Sequence, residues 1–233
     1  QSVITSGPIT AYDESFCNMR INGYTGAENS QRSDNRPPGG ATSWPVLQTT
    51  RIHDVFVEFA VTSMSGTSLN IDKIAFEIGG NSTNFLKAEV LYSADSTFAS
   101  CHKIPDDLIL ESSGYLLRAD TLNPVSFTPD YAVNEHETFY LRVYPWVHNQ
   151  ASGLTGKYLL LKNMRISGVA EGEAEYELPD VRTLDVTYIS TTFATSGGHI
   201  VTDGGAAVTA RGVVWNTDAE PTLQDQKTTD GEG

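Results

Sequence analysis

The sequence predicts an all-β protein, in which an antiparallel β-sandwich of jelly-roll type is followed by a second, incomplete β domain. Two observations support this prediction. About seven segments alternate apolar and polar residues with a period of two, at spacings of about 10 to 20 residues and with turn residues between them. No segment longer than a turn or two keeps the helical period. Such strands need a second sheet to bury their apolar faces.

The first 50 residues are polar and rich in glycine, and they predict a long loop with one short strand from Phe16 to Asn22. Clear period-2 alternation begins at residue 54, and a turn at Ser65 and Gly66 separates the first two strong strands. The predicted strands are DVFVEFAVT (54–62), SLNIDKIAFEIGG (68–80), NFLKAEVLYS (84–93), SGYLLRA (113–119), FYLRVYPW (139–146) and GKYLLLKNMRISG (156–168).

The domain organisation follows from a change in composition after residue 170. We predict a sandwich module over residues 1–170, an acidic linker over 171–180 and an incomplete β domain over 181–233. Like charges and Pro179 disfavour strand pairing in the linker. Beyond it we expect two or three strands, a DGG hairpin turn at 203–205 and a buried Trp215. Three strands cannot cover a sandwich core, so this domain is expected to be cut off.

Charge and hydropathy narrow the function classes. The 233 residues carry a formal net charge of −14, with 12 acids and 3 bases after residue 170. Nucleic acid is therefore not an expected partner, because phosphate binding needs a basic surface. No run approaches the 18 or so apolar residues of a membrane span, so no membrane insertion is expected. Because the chain starts at Gln1 without a signal-like segment, we expect a mature or excised fragment.

The two cysteines, Cys17 and Cys101, are too few for a disulfide scaffold. They form one disulfide if the protein is secreted, or else they are two buried thiols.

The segment FYLRVYPW contains the main candidate site. In an extended strand Phe139, Leu141, Val143 and Pro145 share the core face, and the opposite face carries the aromatic row: Tyr140, Arg142, Tyr144 and Trp146. Same-side residues lie about 6.5 to 7 Å apart, so a row of about 20 Å could follow several sugar units. Aromatic faces suit the C–H patches of sugars, and a guanidinium suits a uronate carboxylate.

The same row also has a purely structural interpretation. Tyrosine and arginine are good strand residues, and a loop or a neighbouring domain can cover them. An exposed Trp146 favours a binding face, whereas a buried Trp146 with Tyr144 capped by a loop favours sheet packing. Trp44 is either a second stacking residue or a plug over the core. Lys162 is a candidate second cation whose face the alternation does not determine.

Several of these segments together resemble a known family. The order of EFAV (58–61), IAFEIGG (74–80), LYSADSTF (91–98), FYLRVYPW and GKYLLLKNMRISG resembles the non-catalytic β-sandwich modules of secreted pectate lyases and related polysaccharide-degrading proteins of Bacteroidetes-type bacteria. The resemblance covers roughly residues 50–168. The segment ATSGGHIVTDGGAAVTARGVVWNT (194–217) is similar to the opening half of fibronectin type III-like repeats.

The resemblance implies a secreted or cell-surface carbohydrate-binding module. It would hold a larger polysaccharide-degrading protein on plant cell-wall glycan, with pectin (homogalacturonan) favoured, and a catalytic domain such as a pectate lyase would lie outside this sequence. The alternative is a structural or protein-interaction β-sandwich spacer without glycan affinity. Modules of this kind often carry a structural calcium, which the loop acids would allow; no other cofactor is expected. The candidate carbohydrate-binding residues are Tyr140, Arg142, Tyr144, Trp146, Trp44 and Lys162.

No catalytic activity is expected of the chain itself. The histidines are scattered over predicted loops, without an HExxH motif, a GxSxG elbow or a P-loop. Acid pairs such as Asp106 with Asp107, or Glu135 with Glu137, have no positioned partner in the sequence, and nothing selects one as a glycosidase pair.

Overall fold

The computed structural model describes residues 6–24, 30–35, 43–81, 85–117, 122–152, 154–174, 178–204, 208–218 and 220–231. The chain divides into two compact units, Gln1–Glu173 and Ala174–Gly233. Their boundary lies within the segment 171–180 that the sequence predicts as a linker.

The first unit is built from antiparallel strands. Its elements are β1 (Ile9–Ala11), β2 (Ser15–Cys17), β3 (Met19–Tyr24), β4 (Gln31–Asn35), β5 (Phe56–Ser63), β6 (Thr67–Asn81), β7 (Leu86–Ser93), β8 (His102–Lys103), α1 (Asp106–Ile109), β9 (Asn123–Phe127), β10 (Tyr131–Val133), β11 (Thr138–Val147) and β12 (Tyr158–Gly172). The first sheet has the order β1-β5-β11-β7-β8, with β2 also on β5. The second sheet has the order β10-β6-β12-β4-β3, with β9 also on β6.

One hydrophobic core lies between the two sheets. Both sheets contribute fully buried side chains to it: Val57, Leu86, Val90, Phe139 and Leu141 from the first sheet, and Ile74, Phe76, Ile78, Leu159 and Leu161 from the second. Burying each such side chain contributes about 1.5 to 3 kcal/mol before entropy is subtracted. The prediction of an all-β sandwich is therefore confirmed.

The strongly alternating strands occur where they were predicted. The alternating apolar residues of the predicted segments are also the buried ones, namely Ile74, Phe76 and Ile78 on β6, and Leu86, Ala88, Val90 and Tyr92 on β7. Strict alternation leaves one register in which a strand can bury its apolar residues, which is why these predictions are confirmed.

The predicted N-terminal loop is wrong in part, because β1 and β4 lie within it. The single strand predicted from Phe16 to Asn22 is interrupted at Asn18, which has a left-handed φ of 47°. Polar partners stabilise β4. Arg20 Nε donates a hydrogen bond to Asp34 Oδ1 at 2.9 Å, and Gln31 Nε2 donates one to Glu14 Oε1 at 2.7 Å. Residues 25–29 and 36–42 of the predicted loop lie outside the described residues.

Two further differences concern the middle of the unit. The described part of the predicted strand SGYLLRA, residues 113–117, is not a strand, although Leu116 N donates to Leu86 O at 2.8 Å. Conversely, β9 contains Pro124 and was not predicted. A proline removes one ladder donor, so β9 lies at a sheet edge, paired with β6 alone.

The two cysteines are free thiols, and Cys101 is exposed. Both alternatives from the sequence are therefore wrong, the disulfide and the pair of buried thiols. Burial raises the pKa of the partly buried Cys17, and the nearby Asp54 carboxylate raises it further. No helix in the described part of the chain is long and apolar enough to cross a membrane.

The second unit contains two separate two-stranded sheets in its described residues. They pair β13 (Asp180–Thr183) with β14 (Gly198–Thr202), and β15 (Val214–Trp215) with β16 (Gln226–Lys227). The prediction of a buried Trp215 is wrong: its side chain is 46% exposed and its Nε1 donates to Gln226 Oε1 at 3.0 Å. The predicted turn at 203–205 lies partly outside the described residues.

Candidate binding surface on the outer face of the first sheet

Strand β11 carries the aromatic row along the middle of the outer face of the first sheet. It pairs with β5 on one side and with β7 on the other. Arg142 lies opposite Glu58 on β5, and Trp146 lies opposite Lys87 on β7. The alternation of β11 therefore places the row as predicted, on the face opposite the core.

The centre of this face is covered, which contradicts an open aromatic row. Tyr144 is 1% exposed and Trp146 is 5% exposed. The rings of Phe56 and Phe98 pack against Tyr144, with centroid distances of 5.2 and 6.5 Å. The guanidinium of Arg51 covers the same ring at 4.8 Å. A ring that is buried in this way has no free face for a sugar.

Arg142 is also occupied by contacts within the protein. Its Nε donates to Glu58 Oε2 at 2.6 Å, and its Nη2 donates to the carbonyl of Ser96 at 2.8 Å. Its guanidinium carbon lies 4.2 Å from the ring centre of Phe56 and 4.1 Å from that of Phe98. Burial opposes the charge, but the hydrogen bonds outweigh it, so the pKa of Arg142 is raised. The guanidinium is therefore not free to bind a uronate carboxylate.

A loop after β7, residues 94–100, supplies the cover; we call it the capping loop. Asp95 organises it by accepting hydrogen bonds from the Thr97 hydroxyl at 2.7 Å, the Thr97 backbone N–H at 2.8 Å and the Ser100 backbone N–H at 3.2 Å. These bonds, that of the Thr97 hydroxyl foremost, lower the pKa of Asp95. Phe98 has a left-handed φ of 57° and packs in the cluster that contains Tyr144.

Two buried nitrogen atoms lie at the Trp146 end of the row. Trp146 Nε1 and His148 Nδ1 are buried and have no hydrogen-bond partner among the described residues. Nearby, Lys87 Nζ lies 5.3 Å from the ring centre of Tyr115, which also packs against His148. Because both nitrogens are shielded from solvent, this end offers no direct contact to a polysaccharide.

The two remaining candidates lie elsewhere in the sandwich. Trp44 is 2% exposed, joins the core and donates from Nε1 to the Lys157 carbonyl at 2.9 Å. It is a plug, so its proposed role in stacking on sugar is wrong. Lys162 lies on β12 opposite Glu77 of β6 in the second sheet, whereas the aromatic row lies on the first sheet. It therefore cannot add a cation to the row.

A groove remains open beyond the capped centre, at the Tyr140 end of the row. It has a volume of about 380 Å³, and we call it the tyrosine groove. Tyr12 is 50% exposed and Tyr140 is partly buried. Its lining is Tyr12, Asp13, Ser15, Glu58, Ala60, Thr138 and Tyr140.

Short contacts hold the groove in place. Tyr12 N donates to the Ala60 carbonyl at 3.1 Å, which fixes the ring beside β5. The Thr62 hydroxyl donates to the Tyr12 hydroxyl at 3.3 Å and is hydrogen-bonded to the Thr138 hydroxyl at 2.6 Å. Glu58 is held by Arg142 and by the Ser15 hydroxyl. The groove therefore combines two phenol rings with fixed oxygen atoms.

Of the groove residues only Tyr140 was identified from sequence. Tyr12 and Asp13 lie between β1 and β2, in a region that predicts a loop. Only the pairing of both strands with β5 brings them to Tyr140. The available local signal was the segment AYDES (11–15), an aromatic residue beside acids and a hydroxyl.

A larger cleft, of about 960 Å³, lies where β1 and β12 border the sandwich. Its lining is mainly apolar and includes Phe59, Met164 and Ile166. Glu14 also lines it; burial raises the pKa of Glu14, although the hydrogen bond from Gln31 opposes this. Core-type side chains form most of the wall of this cleft, and two of its residues, Tyr12 and Ala60, also line the tyrosine groove.

The described side chains do not support metal binding. Across the described ranges, no group of three or more His, Cys, Asp or Glu side chains is placed to hold a metal ion. The described residues thus provide no such cluster for a structural calcium.

Comparison with known proteins gives no match. No family model fits the chain, and no curated protein or solved structure is similar to it. The resemblance to modules of polysaccharide-degrading proteins therefore stays a hypothesis based on the segments quoted above.

Proposed function

We propose that the first unit is a non-catalytic carbohydrate-binding module whose contact surface is the tyrosine groove. The observation that supports this proposal is that Tyr12, Tyr140 and the short side chain of Ala60 line one open groove beyond the covered centre of this face. The groove replaces the aromatic row as the site, because Tyr144 and Trp146 are buried.

The chemistry of the groove suits a sugar ring. Axial C–H bonds of a pyranose are slightly positive and pack on the negative face of a phenol ring. Sugar hydroxyls then need acceptors at the edge of that contact, and the Asp13 and Glu58 carboxylates are such acceptors. A hydrogen bond to a charged group contributes about 1.5 to 3 kcal/mol. Two such bonds and one stacking contact would give weak, reversible binding.

Weak binding is sufficient for a tethered module. A domain that holds its neighbour near a polysaccharide raises the effective concentration of that neighbour without any new chemistry. In this proposal the parent protein is extracellular and acts on plant cell-wall glycan, and the catalytic step belongs to another domain.

A second candidate function is a structural or protein-interaction spacer without glycan affinity. The burial of Trp146 and the capping of Tyr144 favour it, because they remove the face that a long glycan would follow. The two candidates differ in whether the tyrosine groove binds any sugar.

Affinity electrophoresis separates the candidates. The protein is run through gels containing xylan, β-glucan, homogalacturonan or no glycan, with Tyr12→Ala, Tyr12→Phe and Tyr188→Ala alongside. Tyr188 is 80% exposed in the second unit and serves as the matched control. We expect at least one glycan to retard the wild type, Tyr12→Phe and Tyr188→Ala, but not Tyr12→Ala. Equal mobility in every gel would support the spacer, and glycan turnover would contradict a non-catalytic role.

A further inference from the structure

We infer that the tyrosine groove selects neutral glycans and excludes polyuronates; this inference rests on the proposed function. It reverses the expectation of homogalacturonan, which followed from the family resemblance and weakly from Arg142.

Among the described residues, the groove is lined by acids and by no base. Its two ionisable carboxylates are Asp13 and Glu58, and the remaining lining consists of tyrosines, small residues and hydroxyls. Asp13 is exposed and forms no hydrogen bond or ion pair with another described residue. Asp13 therefore lines the groove without a cation beside it among the described residues.

The guanidinium of Arg142, which borders the groove, does not change the negative sign of the groove's charge. Arg142 Nε is 2.6 Å from Glu58 Oε2, so its positive charge is compensated within the pair. Its Nη2 is taken by the Ser96 carbonyl. Once Arg142 and Glu58 are counted together, Asp13 sets the net charge of the groove, which is negative.

A neutral sugar and a uronate therefore meet the groove differently. A carboxylate accepts hydrogen bonds from two neighbouring sugar hydroxyls, which favours neutral units. A uronate carboxylate placed near Asp13 meets a like charge without a cation between them. At low salt the formal charge of −14 on the whole chain also disfavours binding of a uronate.

Isothermal titration with oligosaccharides of equal length tests the inference. The ligands are an unsubstituted xylo-oligosaccharide, a β-gluco-oligosaccharide and an oligogalacturonate. The variants are Tyr12→Ala, Asp13→Lys and Asp107→Lys; Asp107 is an exposed acid on α1, so its variant makes the same charge change away from the groove. We expect at least one neutral ligand to bind the wild type about tenfold or more tightly than the oligogalacturonate. Asp13→Lys should lower the ratio of the affinity for the neutral ligand to that for the oligogalacturonate several-fold, and Asp107→Lys should leave this ratio unchanged.

The outcomes separate this inference from the proposal beneath it. Preference for the oligogalacturonate, lost in Tyr12→Ala, would overturn the inference and leave the proposed function standing. Equal effects of Asp13→Lys and Asp107→Lys would also overturn it, because the groove charge would then not set the selectivity. Binding of no ligand would overturn both. Neutral binding that Tyr12→Ala does not change would overturn the assignment of the site.

Discussion

Residues on the outer face of the first sheet contact one another through an ion pair and through stacking on aromatic rings. Arg142 and Glu58 form a largely buried ion pair, and the planar guanidinium lies against the rings of Phe56 and Phe98. Stacking together with hydrogen bonding is a use of arginine that lysine cannot reproduce. The residue types that make a good sugar platform thus also make a stable packed layer, and the covering residues decide between the two.

Trp146 tests this packing role. Trp146→Ala removes a large side chain that is 95% buried, and we expect the free energy of unfolding of the first unit to fall by about 3 to 5 kcal/mol. Denaturant titration measures the loss, and Tyr188→Ala is the control, with an expected change within about 0.5 kcal/mol. A variant as stable as the wild type would show that Trp146 does not pack as described.

Asp95 makes the capping loop sensitive to acid. Hydrogen bonds from Thr97 and Ser100 lower the folded-state pKa of Asp95. A lowered folded pKa gives stability that is fully present above the unfolded value of about 3.9 and is lost as pH falls through the folded pKa. The stability difference between wild type and Asp95→Ala should therefore shrink below about pH 4. Unfolding at pH 7, 5, 4 and 3 measures it, and a difference that grows in acid would contradict the assignment.

At the scale of strands, alternation predicted the elements that bury one face cleanly. The strands β5, β6, β7 and β11 were predicted because each has an alternating set of apolar residues that the core buries. Strand β4 was missed because it is stabilised by polar pairs such as Arg20 with Asp34. A loop that covers Tyr144 was one of the two interpretations of the row, but alternation could not identify Phe98 as the covering residue, because its loop contacts β11 only through tertiary packing.

Strand β12 depends on a close backbone approach at Gly168. A Cβ built there would lie 2.2 Å from the Asn70 carbonyl oxygen of β6, next to a register shift between Ser167 and Gly168. We expect Gly168→Ala to lower the free energy of unfolding by about 3 kcal/mol or more. Gly156→Ala is the control: its φ of 68° is unfavourable but its Cβ position is open, so the expected cost is about 1 to 2 kcal/mol. Similar losses in both variants would argue against the steric contact.

At the scale of the whole molecule, the two units differ in how well they bury apolar side chains. The first unit has a continuous core between two sheets. In the second unit many large apolar side chains are exposed, including Leu178, Tyr188, Ile189, Phe193 and Leu223. Few buried contacts mean low local stability.

Amide hydrogen exchange should show this difference directly. We expect residues 180–233 to exchange rapidly and the amides of β5, β6, β7 and β11 to be strongly protected. Mass spectrometry of peptides after timed labelling measures both units in one sample. Strong protection across 180–233 would contradict the description of the second unit.

On the outer face of the first sheet, Tyr144 and Trp146 are buried, whereas Tyr12 and Tyr140 line a groove that is open to solvent. Hydroxyl-radical footprinting tests this difference most directly, because it reports the solvent access of each ring in the intact protein. We expect fast oxidation of Tyr12, slow oxidation of Tyr144 and Trp146, and protection of Tyr12 when a neutral glycan is added. Oxidation of Trp146 as fast as that of Tyr12, or protection of Trp146 by the glycan, would show instead that sugars reach the row itself.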